Sequence, residues 1–155
     1  MHAFIRPLKA IDLDEASALC LRSKAHWGYD AKFMEACRSE LVFTPRDIEE
    51  DLSVGLWVSG SLRAVAQISG ERERWELEKL FVEPAAMGRG LGRTLFEWAV
   101  VTVASRGGTI MTIAADPCAV PFYRRMGAED AGHVPSGSIR GRFLPRLHLR
   151  VGRKA

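Results

Sequence analysis

The chain has 155 residues, of which 47% are hydrophobic and 26% charged, a composition typical of one globular domain with its own core. No apolar run reaches the length of a membrane-spanning helix, and the first residues include no apolar signal-peptide segment. We therefore expect a single domain over residues 1–155 without a membrane partner.

The net charge of +3 is unevenly distributed, because residues 136–155 carry six basic side chains and no acidic one. A basic C-terminal segment suits nucleic acid or a phosphate-bearing ligand. A solvated terminal strand and tail explain it more simply, so charge alone predicts no partner. The six residues are Arg140, Arg142, Arg146, Arg150, Arg153 and Lys154.

The first third of the chain predicts one strand and then helices. A strand is expected over residues 4–12, and Asp12 or Asp14 is a suitable cap for a helix over residues 15–27. A second short helix is expected over residues 28–37. A third begins after Pro45 and includes residues 46–53.

The rest of the chain alternates between strand and helix patterns. Strands are expected over residues 55–60, 63–69 and 73–84, then a helix over 90–106, a buried strand over 109–116, a short helix over 119–127 and two strands within 132–151. The order differs from a strictly alternating βαβ array. It predicts a mixed α/β sheet with helices on its faces.

Three glycines, Gly88, Gly90 and Gly92, stand at the start of the long predicted helix. Glycine costs about 1 kcal/mol per helical position relative to alanine, so their presence needs a reason. Without a Cβ they let a ligand approach the backbone, and the unpaired N–H groups of a helix start suit an anion. Arg89 and Arg93 add positive charge. The segment predicts a pyrophosphate-binding loop, with a flexible turn as the alternative.

Two common phosphate motifs do not fit this loop. Gly92 is followed by Arg93-Thr94 and not by Lys-Ser/Thr, and the glycine spacing is GxGxG and not GxGxxG. The run Met87-Gly88-Arg89-Gly90-Leu91-Gly92 instead resembles the pyrophosphate loop of the GNAT superfamily of N-acetyltransferases, written Gln/Arg-x-x-Gly-x-Gly/Ala. Met87 departs from the usual first residue of that loop.

The resemblance covers the chain from the first strand to about Val151. It implies the GNAT fold, which is a central, mostly antiparallel, twisted mixed sheet of about six to seven strands flanked by about four helices. It also implies acetyl-CoA as the co-substrate and no metal. The four histidines, His2, His26, His133 and His148, are scattered and lack the spacing of metal ligands.

Two further stretches support the resemblance. "LEKLFVEP" (77–84) is similar to the family's fourth strand, whose backbone pairs with the pantetheine arm, and "DPCAVPFYRRMGA" (116–128) is similar to its fourth helix. Asp116 stands where the family often has Asn. By this resemblance the coenzyme would be bound by Leu80, Phe81, Val82, Met87, Gly88, Arg89, Gly90, Leu91, Gly92, Arg93, Thr94, Asp116 and Phe122.

Tyr123 is the predicted general acid toward the thiolate of coenzyme A. A phenol with a pKa near ~10 is protonated at neutral pH and can donate that proton. Phe122 and Met126, four residues apart, are expected to face the core together and so turn Tyr123 to another side of the helix. The alternative is a packed tyrosine whose hydroxyl is bound by the backbone.

The general base is less clear in the sequence. Strand alternation predicts that Glu76, Glu78, Leu80 and Val82 share one face, which leads two carboxylates toward the acetyl-binding end. Either could accept the amine's proton, and Glu78 is slightly favoured over Glu76. Solvated charges at the beginning of a strand are an equally simple explanation of each.

Residues 23–30 fall in a region that overhangs the acceptor site in the GNAT family. His26, Trp27 and Tyr29 are expected either to line an acceptor pocket or to pack together at a helix end. Cys118 lies beside the proposed site, but no histidine or aspartate at a recognisable spacing supports a catalytic triad. The three cysteines form no CxxC pair and favour reduced thiols in a cytoplasmic protein.

The sequence therefore predicts a cytoplasmic N-acetyltransferase that moves the acetyl group of acetyl-CoA to a primary amine of a small molecule or peptide, by direct attack in a ternary complex. One alternative is a catalytically silent module that binds acyl-CoA. Another is a nucleic-acid-binding domain, which leaves the three glycines unexplained, so no nucleic acid is expected. A homodimer is a further option, since many members of the family pair.

Overall fold

The computed structural model of the chain describes residues 2–152, so Arg153 and Lys154 of the basic segment lie outside the described residues. Within residues 2–152 seven strands form one sheet in the order β1-β2-β3-β4-β5-β7-β6. The strands are β1 (Ala3–Pro7), β2 (Leu52–Val58), β3 (Ser61–Glu71), β4 (Arg74–Val82), β5 (Ile110–Ala114), β6 (Glu129–Pro135) and β7 (Phe143–Arg150).

Five α-helices accompany this sheet in the described range, where the resemblance implied about four. They are α1 (Leu13–Ala25), α2 (Ala31–Leu41), α3 (Pro45–Glu50), α4 (Leu91–Ser105) and α5 (Val120–Arg125). Among the described strands only β4 and β5 pair in parallel, so the expected mixed and mostly antiparallel sheet is confirmed. None of the helices in residues 2–152 has the length and apolar character needed to cross a membrane.

Two aspartates move the element boundaries away from their expected positions. The first strand ends at Pro7 and not near residue 12, because Asp12 accepts the Lys9 N–H at 2.8 Å and residues 10–12 form a 3-10 turn. The second helix begins at Ala31 and not at residue 28, because Asp30 accepts the Phe33 N–H at 2.8 Å and caps it.

The sheet has a helical layer on each face, and β3 shows how its side chains divide between them. Val65 packs on one face in a cluster with Leu19 of α1 and Leu41 of α2. Its neighbours Ala64 and Ala66 pack on the other face with Leu95 of α4. This alternation follows from the two-residue period of a strand. A further cluster joins α4 and α5 to β5 and β7.

The parallel pair of β4 and β5 is short. Only Arg74, Trp75 and Glu76 of β4 pair with β5, opposite residues 110–112, whereas β4 stays paired with β3 as far as Val82. The strands therefore part after Glu76, and residues 77–82 have one edge without a neighbouring strand. Backbone N–H and C=O groups on such an edge require other partners.

A β-bulge in β4 changes which side chains share a face. Leu77 pairs with Ile68 and Lys79 with Gln67, so Glu78 has no opposite residue. The extra residue reverses the alternation. Leu80 and Val82 consequently pack with Leu95 beneath α4, whereas Glu78 accepts the hydroxyl of Ser69, which pairs with Glu76.

The expectation that Glu76, Glu78, Leu80 and Val82 lie on one face is therefore wrong. The two glutamates share the face that α1 and α2 cover in part, and the two apolar side chains share the α4 face. A local pattern of alternating residues cannot reveal the bulge, because the bulge depends on the register with β3.

The position of α4 predicts a large difference between two substitutions in that helix. Leu95 is 0% exposed and Val101 is 68% exposed. We expect Leu95→Ala to lower the free energy of unfolding by about 2–5 kcal/mol, because it removes methyl groups from a packed cluster. Val101→Ala is the matched control and should change it by no more than about 0.5 kcal/mol. Equal effects in urea denaturation would contradict the packing of α4 described here.

Candidate active site

A cavity of about 1070 Å³ occupies the opening between β4 and β5. Residues 76–82 of β4 line one side and residues 113–116, which include the end of β5, line the other. The glycine loop, α5 and parts of α1 and α2 contribute the remaining walls. The opening between the two strands is therefore lined by segments from most of the chain.

The glycine loop presents open backbone at the start of α4. Gly88 and Gly90 both have φ of +80°, a conformation that other residues rarely adopt. Apart from the adjoining residues, no atom of residues 2–152 lies within 4 Å of the position that a Cβ would take at either glycine. Gly92 and Arg93 follow in the first turn and line the same cavity. The free N–H groups and the added positive charge fit an anionic group such as a pyrophosphate.

Tyr123 is buried in the core, with its hydroxyl open to the cavity. The residue is 6% exposed and lines the cavity. The Tyr123 hydroxyl has no hydrogen-bond partner among the described residues. Within residues 2–152 every fully enclosed polar side-chain atom does have a partner. The hydroxyl is therefore not fully enclosed, and the residue lines the cavity. Burial raises the pKa of Tyr123, and the charge of Asp116 adds to the rise, so the phenol stays protonated at neutral pH.

The environment of α5 differs from the expected one. Phe122 and Met126 are only partly buried and pack against the cluster that contains Tyr123. Both therefore face the core in part, as expected, but Tyr123 lies in that same core, so the prediction that they turn Tyr123 to another side of the helix is wrong. Because α5 lies between the core and the cavity, the ring of Tyr123 can be buried while its hydroxyl remains accessible.

Glu76 and Glu78 form a pair of carboxylates on the cavity wall. The pKa of Glu76 is raised, first by partial loss of water and then by the charge and hydrogen bonding of Glu78. The Thr112 hydroxyl, which donates to Glu76 at 3.5 Å, and the charge of Arg146 act in the opposite direction. A carboxylate with a raised pKa is a better proton acceptor near neutral pH than an ordinary one.

Asp116 is the centre of a partly buried polar network. Its carboxylate accepts from Lys24 Nζ at 2.5 Å, from the Tyr29 hydroxyl at 2.7 Å and from the Cys118 N–H at 2.8 Å. The Arg142 guanidinium lies 3.8 Å from the same carboxylate. This network joins α1 and the α1–α2 loop to the end of β5 and to the loop before β7.

The charges of this network shift two pKa values in opposite directions. Loss of water acts to raise the pKa of Asp116, but the hydrogen bonds from Lys24, Tyr29 and the Cys118 N–H outweigh it, so the pKa lies below its usual range. Burial and the Asp116 carboxylate raise the pKa of Tyr29 to about 12. At neutral pH the network therefore consists of a carboxylate, two cations and a neutral phenol.

The cavity brings most of the predicted site residues together. Exceptions are Arg89, Thr94, His26 and Tyr29, which are not among its lining residues. The Thr94 hydroxyl donates to the Gly90 carbonyl at 3.0 Å, and His26 contacts Trp27 at the cavity edge. The lining residues from the predicted set are Trp27, Glu76, Glu78, Leu80, Phe81, Val82, Met87, Gly88, Gly90, Leu91, Gly92, Arg93, Asp116, Phe122 and Tyr123.

Sequence reasoning missed several charged residues of the site. Lys24 and Lys79 line the cavity, and Arg142 reaches its Asp116 wall from a distant loop. No local pattern marks these three. Glu40 carries a weak signal, because an acidic residue in the last turn of a helix opposes the helix dipole and needs a separate reason to be there.

A family model described as an acetyltransferase (GNAT) domain matches residues 29–134, which is more than half of the chain. The chain belongs to the GNAT acetyltransferases. Family membership makes the protein an acetyltransferase and confirms the resemblance seen in the sequence. No curated protein sequence matches this GNAT chain.

Solved structures share the GNAT fold over the whole chain. PaiA N-acetyltransferase from Thermoplasma acidophilum in complex with coenzyme A aligns with a TM-score of 0.78 and 17% identity, over 97% of this chain and 99% of that one. An aminoglycoside 6'-N-acetyltransferase complexed with coenzyme A gives 0.71 and 17%, over 98% and 99%. YncA from Salmonella typhimurium with its cofactor acetyl-CoA gives 0.70 and 17%, over 100% and 97%. At these identities the likeness establishes the fold.

The Asp116 network predicts a pH-dependent loss of stability. The Asp116 side chain is 10% exposed. Asp116→Asn should lower the free energy of unfolding by about 2–3 kcal/mol at neutral pH, because it leaves two cations with a neutral partner. A carboxylate whose pKa is depressed by folding stabilises above its unfolded pKa, near ~3.9, and loses that contribution as the pH falls through the folded value. The difference from wild type should therefore shrink below about pH 4.

Asp130→Asn is the matched control for this substitution. Asp130 also pairs with an arginine, Arg124, at 2.6 Å, but both side chains are more than half exposed. Exposed pairs contribute little to stability, so we expect a much smaller loss for Asp130→Asn than for Asp116→Asn. Thermal unfolding from pH 3 to pH 8 measures both variants. A similar loss in the two, or a loss for Asp116→Asn that does not depend on pH, would contradict the network.

Proposed function

We propose that this acetyltransferase uses acetyl-CoA and transfers its acetyl group to a primary amine, carried by a small molecule or a peptide, through direct attack in a ternary complex. The observation that supports this most is one cavity that holds an open glycine loop, the free edge of β4 and the accessible hydroxyl of Tyr123. These three features suit the pyrophosphate, the pantetheine amides and the leaving thiolate, in that order.

The geometry accounts for the orientation of acetyl-CoA in the cavity. The pyrophosphate would lie at the start of α4, where the glycine backbone is open. The pantetheine arm would follow residues 77–82 of β4, whose edge groups lack a strand partner. The glycine loop follows the C-terminal end of β4, and Glu76 lies toward the N-terminal end. A ligand with its pyrophosphate at the loop would therefore place its thioester toward Tyr123 and the two glutamates.

The main barrier to the reaction is bringing a neutral amine to the thioester. Removing the proton from an ammonium group with a pKa near ~10.4 costs roughly 4.6 kcal/mol at pH 7. Holding amine and thioester together can contribute about 7–11 kcal/mol, so positioning outweighs this cost. The Glu76–Glu78 pair would accept the amine's proton, directly or through water, and so helps to supply the neutral form.

Bond changes follow from this arrangement. The amine nitrogen would attack the carbonyl carbon of the thioester and release its extra proton to water or to the Glu76–Glu78 pair, and the carbon–sulfur bond would then break. The departing thiolate takes the proton of the Tyr123 hydroxyl, which is later restored from solvent. The products are the N-acetylated amine and free coenzyme A.

A catalytically silent acyl-CoA-binding module is the second candidate. It would use the same loop and β4 edge, but it does not require an accessible phenol or a carboxylate, that of Glu76, with a raised pKa. Those two features favour the enzyme. Release of coenzyme A in the presence of a panel of amines separates the candidates. A cytoplasmic location and a homodimer stay predictions.

Binding of acetyl-CoA should depend on the charge at the start of α4. We expect Arg93→Gln, in the first turn, to raise the Kd for acetyl-CoA by about three- to tenfold, because it removes a cation beside the pyrophosphate. Arg106→Gln is the matched control at the other end of the same helix and should leave the Kd unchanged. Titration calorimetry measures both variants. No detectable binding by the wild type at millimolar acetyl-CoA would contradict the proposed function.

Tyr123→Phe tests the general acid. The variant keeps the buried ring and removes only the hydroxyl, so we expect the fold to be retained. The kcat should fall by about 10²- to 10⁴-fold, with little change in the Kd for acetyl-CoA. Steady-state release of coenzyme A and calorimetry on the same sample measure the two quantities. A variant with wild-type kcat and pH profile would show that Tyr123 only packs.

A further inference from the structure

A primary amine of the protein itself lies in the cavity. Lys24, in the last turn of α1, is one of the lining residues, and its side chain is 12% exposed. Its Nζ lies 2.5 Å from a carboxylate oxygen of Asp116, which lines the same cavity just beyond β5. The proposed reaction acetylates a primary amine in this cavity, so Lys24 belongs to the class of group that the reaction uses.

Lys24 reaches the cavity from the side on which an acceptor amine is expected. Helix α1 packs on the sheet face that Glu76 and Glu78 share, and these two residues are the proposed proton acceptors. The Asp116 carboxylate is close enough to the Tyr123 hydroxyl for its charge to raise the pKa of that phenol. The Lys24 nitrogen therefore adjoins a group near the proposed general acid, where the thioester would lie.

The other described lysines are placed differently. Lys79 also lines the cavity, but its ammonium group donates to Gln67 at 2.8 Å and lies 4.9 Å from the centre of the Phe43 ring. Lys9 and Lys32 are exposed and are not among the lining residues. Lys79 can therefore serve as the reference for a cavity lysine held elsewhere, and Lys9 and Lys32 as references for amines that react with acetyl-CoA directly from solution.

The ion pair with Asp116 opposes attack by Lys24. An ammonium group has no lone pair, and a carboxylate with a lowered pKa is a poor acceptor for its proton. The Tyr29 hydroxyl and the Cys118 N–H donate to the same carboxylate at 2.7 Å and 2.8 Å and keep it charged. The network thus holds this cavity amine in its charged form, whereas an acceptor amine without such a partner loses its proton more readily.

We infer that Lys24 is a self-acetylation site of the enzyme and that Asp116 keeps this reaction slow. The inference rests on the proposed function, because acetyl-CoA supplies the acetyl group. Once Lys24 has given its proton to water, the neutral nitrogen attacks the carbonyl carbon of the thioester and loses its second proton to water. The carbon–sulfur bond breaks, and the thiolate takes a proton to leave as coenzyme A. The acetylated side chain is neutral, so α1 loses its ionic link to Asp116.

Incubation of the intact protein with acetyl-CoA and no added amine tests the inference. We expect peptide mass spectrometry to find an acetyl group on Lys24, formed at least about tenfold faster than on Lys9, Lys32 or Lys79, because the thioester is held beside it. Release of coenzyme A should stop near one equivalent per chain, because each chain offers one such amine among its described residues.

Two Lys→Arg variants separate this site from the background. Lys24→Arg keeps a cation for Asp116 but offers no amine, so release of coenzyme A without added amine should fall to the rate of spontaneous hydrolysis. Lys32→Arg is the matched control on the exposed surface of α2 and should behave as the wild type.

Asp116→Asn tests the restraint on Lys24. It should speed acetylation of Lys24 by at least about tenfold, because it removes the charge that holds the ammonium group. An unchanged rate in a folded Asp116→Asn protein would contradict the role given to Asp116. If this variant does not fold, the comparison of Lys24→Arg with Lys32→Arg still decides whether Lys24 is the site.

The outcomes separate the inference from the proposed function. Release of coenzyme A with added amines, but acetylation of Lys24 no faster than of Lys9 and Lys32, would overturn the inference and leave amine acetylation standing. Equal amine-free release by Lys24→Arg and the wild type would do the same. No binding of acetyl-CoA, or binding with neither release nor modification, would overturn both. Acetylation of Lys24, with release lost in Lys24→Arg and kept in Lys32→Arg, would support both.

Discussion

The parting of β4 and β5 is the constraint on which the rest of the molecule depends. The two strands pair over only three positions, and then each is held by a different neighbour: β4 by β3 as far as Val82, and β5 by β7, with a further bond from the Ala115 N–H to the Pro145 carbonyl at 2.9 Å. The opening leaves backbone groups of β4 without a partner strand. An extended ligand with its own amide groups can satisfy them, which is what pantetheine offers.

The opening does not divide the core, because the α4 side of the sheet is continuous beneath it. One cluster joins Leu77 of β4 to Met111 and Ile113 of β5 through Phe96 of α4. Tyr123 belongs to the same cluster, so the candidate general acid is held by the packing that keeps the two halves of the sheet together. Buried surroundings keep its phenol protonated, and Tyr123 lines the cavity, as the proposed role of general acid requires.

On the opposite face, charged side chains connect the two halves where strand pairing is missing. Lys24 of α1 meets Asp116 beyond β5, and Arg142 approaches the same carboxylate from the loop before β7. These charges are paired with one another within the protein.

Local chemistry explains what could be predicted from the sequence alone. The order of strands and helices follows from residue periodicity and turn residues, and the glycine loop is recognisable because a helix start that binds an anion needs a few neighbouring residues only. The β4 edge and Tyr123 could likewise be placed in the candidate site from contiguous motifs. Their inclusion in one cavity is what the structure adds.

Only the tertiary structure decided which way side chains face and which charges are left unpaired. The bulge at Glu78 depends on the register with β3, and it separates the glutamates from Leu80 and Val82. The burial of Tyr123 depends on α5 lying between core and cavity. Lys24 and Asp116 are 92 residues apart, and no local pattern links them. Contacts of this kind arise when the sheet assembles, because they depend on which strands and helices become neighbours and not on the residues adjacent in the chain.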